Sequence, residues 1–399
     1  MKILIVSSYY TPEIGAAPSR ITNMAEGLQR EGVDVDILTC LPNYPKGQIF
    51  DEYKGRLYKK ESINHVTVFR YWTYATISKN SAARFIGMLC FAIAIWWFGI
   101  KFWQMRKYDR IIIQSPPILV AFSAMLLFRG IYHKTTILNV SDLWPLSAIM
   151  LGAVKEGSLN CKILQMMERF LYKYASAYQC QSKEIVNHIQ TFCYQKPFFI
   201  YRNLSPLSIS ASDDYPDRNV LKIVYAGLLG VAQDILSLVS HINFKEIGAE
   251  LHIYGGGNQA LEIQRYSEMH DCGIIYHGYQ PKEVINALLS SFHASIVPLA
   301  VRIKGAVPSK IFDLLPHGTP IFFSGGGEGE QIILNYHLGY VSAPGDYKAL
   351  QCNITKMREL SDKDYSQLRS NCLEVSKGVF SFEDQIKRYK EFVTLLSAS

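Results

Sequence analysis

The sequence predicts an α/β protein built from two doubly wound domains whose functional loops face a central cleft. Two observations carry that expectation. Lys2–Ser7 is a nearly continuous apolar run, the pattern of a parallel strand buried on both faces, and a loop with Pro12, Gly15 and Pro18 follows it. After a stretch rich in Ser, Pro and Asp, the same succession of apolar strand, glycine loop and helix restarts at Leu221.

The elements follow in order. Ile21, Met24, Ala25 and Leu28 share one face of a helix over Ser19–Arg30 that ends at Gly32. Val33–Thr39 is the next strand, which makes a βαβ unit with a right-handed crossover. Further strands are expected at Val66–Tyr71, Arg110–Gln114 and Thr136–Val140, and a long helix near Leu159–Ser176. Ser205–Asn219 has the composition of a linker. Beyond it come a strand at Leu221–Tyr225, a tight loop over Ala226–Gly230 and a helix at Val231–Ile242. Strands at Leu251–Tyr254, Gly273–His277, Ala294–Pro298 and Pro320–Ser324 alternate with helices near Asn258–His270, Lys282–Ser290 and Ser309–His317. That alternation specifies a second open parallel sheet. The expected division is 1–204, a linker at 205–219, 220–380, and a last helix within 381–399 that packs back on the first domain. In such folds ligands bind outside the carboxyl ends of the strands, so candidate residues are sought just after strands.

Composition narrows the classes. In 399 residues, 49% are hydrophobic and 19% charged, which excludes general disorder. The net charge of +7 comes without a long Lys/Arg block, so membrane phosphates or an anionic small ligand explain it as well as nucleic acid, and no nucleic-acid partner is expected. The eight cysteines show no C-x-x-C spacing and no Cys/His cluster, so reduced thiols and no metal site are expected. The N-terminal apolar run is too short for a signal peptide, which places membrane contact at the cytoplasmic face.

Phe85–Ile100 is an apolar stretch of sixteen residues. As a helix it reaches about 24 Å, short of the ~30 Å hydrocarbon core. Lys79 and Arg84 precede it, Lys101, Arg106 and Lys107 follow it, and Trp96, Trp97 and Trp103 favour an interface. The segment 85–103 is therefore expected to lie in a membrane surface or to hold a lipid tail. A buried core helix has the same pattern.

The densest local signal is Val307–Pro320, where Pro308 and Ser309 open a helix with Ser309 as N-cap, and Gly318 closes it. A helix start suits a phosphate, and Lys310 in the first turn is better placed for an anion than for the helix dipole. Five further tracts stand in order along the chain: Ser8–Glu13, Leu41–Gly47, Ser115–Pro117, Ser141–Pro145 and Tyr225–Gln233. With these six tracts the chain resembles the retaining glycosyltransferases of family four, whose GT-B fold pairs two Rossmann-like domains. It is most similar to the fucosamine-transferase-like subgroup that builds bacterial O-antigen, capsule and colanic acid.

The resemblance implies a sugar nucleotide held mainly by the C-terminal domain and an acceptor held mainly by the N-terminal one. The second glutamate of the family pair, which contacts the donor ribose, maps onto Asp313, and the first maps onto Gly305 with Lys304 beside it. The basic pair of the loop after the first C-terminal strand is missing, with Leu228 and Gln233-Asp234 in its place. Lys310, Lys304 and Arg302 are then the candidate cations for the donor diphosphate, with backbone N–H groups of Gly227–Gly230 beside them. Gly255 opens the Gly255-Gly256-Gly257 tract that in the family borders the nucleobase, and Glu330 stands near a family acid facing the donor sugar. Gly15 is a close-approach position, Arg20 is either a phosphate ligand or an exposed residue, and Asp142 sits where functional carboxylates do, or caps the following turn.

The resemblance therefore implies a retaining transferase that needs no metal or other cofactor, with the nucleotide sugar as substrate. The donor is expected to be a UDP-linked amino or deoxy sugar and the acceptor a polyprenyl-diphosphate-linked sugar. The expected location is cytoplasmic, peripheral on the inner face of the plasma membrane. A sugar-nucleotide epimerase of the same fold and a non-catalytic binder of lipid-linked sugar are the alternatives.

Overall fold

A computed structural model describes residues 1–78, 80–100, 105–192, 195–206 and 218–396. Lys79, Lys101 and Trp103, and residues 207–217 of the expected linker, lie outside the described residues. The chain divides into two compact units, Met1–Pro206 with Phe382–Ser399, and Leu207–Ser381.

The strands of the first unit are β1 (Lys2–Val6), β2 (Asp34–Cys40), β3 (Tyr58–Ile63), β4 (Val66–Tyr71), β5 (Arg110–Ser115), β6 (Thr135–Val140), β7 (Ala177–Cys180) and β8 (Phe198–Ile200). Those of the second are β9 (Leu221–Ala226), β10 (Ala249–Tyr254), β11 (Ile274–Gly278), β12 (Ala294–Pro298), β13 (Ile321–Ser324) and β14 (Gly339–Ser342). The α-helices are α1 (Ala16–Arg30), α2 (Ser81–Gly99), α3 (Ile118–Met125), α4 (Leu146–Met150), α5 (Leu159–Tyr174), α6 (Lys183–Gln190), α7 (Ile235–His241), α8 (Ala260–Met269), α9 (Lys282–Leu289), α10 (Lys310–Leu314), α11 (Glu328–Asn335), α12 (Tyr347–Arg358), α13 (Asp362–Lys377) and α14 (Phe382–Leu395).

The first sheet runs β3-β4-β2-β1-β5-β6-β7-β8 and is parallel except for β3. The second runs β11-β10-β9-β12-β13-β14 and is parallel throughout. In each sheet the strand order reverses beside its first strand, at β1/β5 and at β9/β12, and these switch points are where an open sheet leaves room for a ligand. The doubly wound expectation holds for both sheets. Sequence reading overlooked the short strands β7, β8 and β14, and also β3, a strand with alternating exposed and half-buried residues that joins β4 through Asn64 and His65, both at positive φ.

Ile3, Ile5, Val35, Ile37, Ile111 and Ile113 are all fully buried, which accounts for the continuous apolar runs that announced these strands. One face of the first sheet is covered by α2, α3 and the inner side of α5, with Phe91, Ile95 and Phe98 of α2 in that core. α14 returns to α1, where Ile386 and Phe382 lie so close to Gly27 that a Cβ there would be 2.7 Å from Ile386. Tyr389 of the same helix is buried and donates its hydroxyl hydrogen to Gln179 on β7.

Candidate active site

At the switch point of the second sheet, the loop after β9 and the loop after β12 meet. Ala300 donates its N–H to Ala232 at 2.8 Å across the two loops. α10 begins just beyond, and its Lys310 side chain crosses to the end of β9. The Lys310 ammonium lies 3.9 Å from the centre of the Tyr225 ring, and a Cβ on Gly227 would stand 2.3 Å from it. A side chain at 227 would displace the end of Lys310, and the φ of 151° there is one that residues other than glycine rarely adopt. Lys310 is half-buried, and burial pushes its ammonium down to about 7, with Asp313 opposing the shift. A cation held on an aromatic face, at the carboxyl ends of two parallel strands, is a ready partner for a phosphate.

Asp313 lies on the same short helix. Lys282 of α9 reaches it at 3.3 Å, a partner that sequence reading missed because the two stand on different βα units. Ser309 does not cap α10: its backbone is already helical, at φ −61° and ψ −25°, and its hydroxyl makes no capping bond. The helix is also shorter than expected. Pro316 cannot donate to the α-helical ladder, and Leu315–His317 tightens into a 3-10 turn closed by Gly318 at φ 61°.

The backbone N–H groups proposed from sequence for the diphosphate are partly committed. Gly227 donates to Tyr254 at 2.8 Å and Leu229 donates to Gly256 at 2.9 Å. These bonds tie the β9 loop to the Gly255-Gly256-Gly257 tract after β10. A Cβ on Gly255 would fall 1.9 Å from the Gly227 carbonyl oxygen, so this glycine is needed for loop-to-loop contact. The region after Gly230 is a turn, and α7 begins only at Ile235, behind Asp234 at φ 45°. The Gln233 side-chain oxygen is buried there without a hydrogen-bond partner. Lys304 is exposed, Gly305 is buried at φ 83°, and Glu330 is half-buried in the first turn of α11. The Arg302 side chain runs along the neighbouring loop, 3.1 Å from where a Gly326 Cβ would stand.

The first sheet has its own polar cluster at the β1/β5 switch point. Arg20 is buried rather than exposed, and it lies close enough to Asp142 for the two charges to interact. It donates to Gln181 and Gln114 at 3.2 Å each, and burial lowers it to about 10. Gln114 in turn donates to Ser141 at 2.8 Å and accepts from Asn139 at 2.7 Å. Asp142 accepts from the Ser147 hydroxyl at 3.0 Å, and burial raises its carboxyl above the usual range, although α4 itself has no side-chain cap. Glu13 accepts the N–H groups of Asn43, Tyr44 and Tyr10, which joins two of the tracts seen in sequence. Gly15 stands at φ 149° with the Tyr44 ring 3.0 Å from where its Cβ would be.

The chain also contains two Asp-x-Asp triplets, a pattern that in other proteins can hold a diphosphate through a divalent ion. Asp36 of Asp34-Val35-Asp36 is buried against Tyr108 at 2.6 Å and Lys2 at 3.1 Å. Asp364 of Asp362-Lys363-Asp364 accepts from Ser361 at the start of α13 at 2.7 Å. Both are committed to structure, away from the switch points.

Comparison with known proteins agrees with this geometry. Residues 15–195 match the profile of the glycosyl transferase 4-like domain. The chain is 22% identical over 339 residues to WcaI of Escherichia coli (strain K12), a protein assigned by name to colanic acid biosynthesis as a glycosyl transferase; the match spans 80% of this chain and 82% of WcaI. Sucrose-phosphate synthase from Thermosynechococcus elongatus superposes with a TM-score of 0.74 at 15% identity over 100% of both chains. The pneumococcal O-GlcNAc transferase GtfA, solved with UDP and GlcNAc, superposes with a TM-score of 0.65 at 11% identity over 99% of both chains. Fold and domain match together support a glycosyltransferase of the GT-B fold.

Proposed function

We propose that this glycosyltransferase moves a sugar, with retention of configuration, from a nucleotide diphosphate to a polyprenyl-diphosphate-linked acceptor in the assembly of a surface polysaccharide. The observation that carries the donor half is Lys310. The basic residues that the family places on the loop after β9 are absent, and α10 delivers an ammonium to that same loop across Gly227. Its charge stabilises the diphosphate as it leaves, and charge stabilisation of this kind is the larger part of such catalysis. Asp313 takes the ribose, with Lys282 holding the carboxylate in place. The acceptor hydroxyl gives its proton to the departing donor phosphate on the face from which the sugar leaves, so no protein base and no metal ion are required. The UDP in the GtfA structure and the colanic acid assignment of WcaI favour a UDP-sugar donor and a lipid-linked acceptor. The exposed apolar side of α2, with Ile93 61% and Trp97 65% exposed, favours a site of action on the cytoplasmic membrane surface.

The test is UDP affinity. Lys310→Ala should lose roughly 1.5–3 kcal/mol of UDP binding, about tenfold to a hundredfold. Asp313→Ala should weaken uridine binding more than inorganic diphosphate binding. UDP affinity unchanged in both variants would remove the donor site from this loop.

A further inference from the structure

In a doubly wound domain the covering helices are apolar toward the sheet and polar toward water. The helices on one face of the first sheet break that rule together. α2 buries Phe91, Ile95 and Phe98 and still exposes apolar residues on its other side. α3 packs against both α2 and α5 and is apolar except for Ser123, which is buried against α2, and its half-buried Phe122 meets Phe170 of α5 with ring centres 4.8 Å apart. From Phe170 the apolar surface runs outward along α5 through Tyr174, Met166 and Ile163, the last two 62% and 40% exposed. These positions recur at helical spacing on the side of α5 opposite Cys161, Leu171 and Tyr172, which are buried. The surface therefore continues from the α2 side across α3 to α5.

Charge identifies what covers it. α2 carries one charged residue, the exposed Arg84, and α3 carries none, so neither helix brings an acid to this face. On α5, Lys162, Arg169 and Lys173 are exposed. Its single acid, Glu168, is buried and accepts from Tyr172, with His188 at 3.0 Å. An apolar face with a cationic and almost acid-free surround fits a bilayer containing anionic lipid.

We propose that α3 and α5 complete, with α2, one membrane-docking face that seats this domain on anionic phospholipid. The proposal rests on the membrane reading above and extends it to helices that carried no membrane signal in sequence. The experiment uses the full chain and vesicles of phosphatidylcholine with about one third phosphatidylglycerol, read by co-sedimentation. Ile163→Glu/Met166→Glu changes only exposed α5 positions and should weaken vesicle binding by on the order of tenfold or more, with UDP affinity unchanged. Lys162→Glu/Arg169→Glu should do the same and should also flatten the salt dependence of binding. Either α5 variant binding vesicles like the parent, while Ile93→Glu/Trp97→Glu is released, would overturn the proposal and leave α2 acting alone. A parent chain that ignores vesicles but dimerises through this face, with the α5 variants monomeric, would overturn it in favour of a second copy. UDP binding, measured separately, tells a failure of the membrane reading from a failure of the donor site.

Discussion

Lys310 is the titratable group at the centre of the proposed donor site. Burial holds it down to about 7, below the ordinary 10.5 of a lysine. Between those two values the unfolded chain binds more protons than the folded one, so this residue's cost to stability is largest below about 7 and fades as pH rises through that window. A bound diphosphate acts in the opposite direction and favours the ammonium. Binding should therefore take up a proton, and UDP affinity should fall as pH rises from about 7 to about 8.5. Calorimetry in two buffers of different ionisation enthalpy measures the proton directly. A pH-independent affinity with no proton uptake would mean that Lys310 does not meet the diphosphate. Little of this was legible in the sequence. The tract around Lys310 stood out, but its position on the Tyr225 ring and the Lys282–Asp313 pair depend on which loops the sheet order brings together. Arg20 teaches the same lesson, because its amide partners come from strands far along the chain.

The elements themselves were easier to read, for a physical reason. A parallel strand is buried on both faces and appears as an apolar run, and β1, β5, β6 and β9 all announced themselves so. An edge strand has no such requirement, and β3, with Lys59, Lys60 and Glu61 at its centre, did not. α2 marks the limit of periodicity. Its apolar stretch was visible at once, yet only packing distinguishes the side that faces the sheet from the side that does not. Ile95 is fully buried while its neighbour Trp97 is largely exposed. The glycine tract after β10 was read as a border of the nucleobase, and its tightest constraint proves to be backbone against backbone. Gly255→Ala should consequently cost about 1–3 kcal/mol, as overpacking against a fixed carbonyl does. In a unit of this size that is a fall of several degrees in Tm, on the order of 2–4 °C per kcal/mol. An unchanged Tm would show that the two loops separate without penalty.

For the molecule as a whole, two open sheets each place a polar cluster at a topological switch point, one around Arg20 and one around Lys310. The proposed division of labour gives the acceptor to the first and the donor to the second. With Lys310 in its proposed place at the diphosphate, turnover should persist in EDTA, and activity lost in EDTA and restored by magnesium would replace the lysine with a metal. The most direct measurement is the mass of the lipid product. The full chain is incubated with UDP-, GDP- and dTDP-sugars and a polyprenyl-diphosphate-linked sugar in vesicles. One of these donors should raise the mass of the lipid by a single sugar residue, with the anomeric configuration of the donor kept and nucleoside diphosphate released in equal amount. Donor returned as its epimer, or lipid unchanged with every donor that binds, would contradict a glycosyl transfer to lipid.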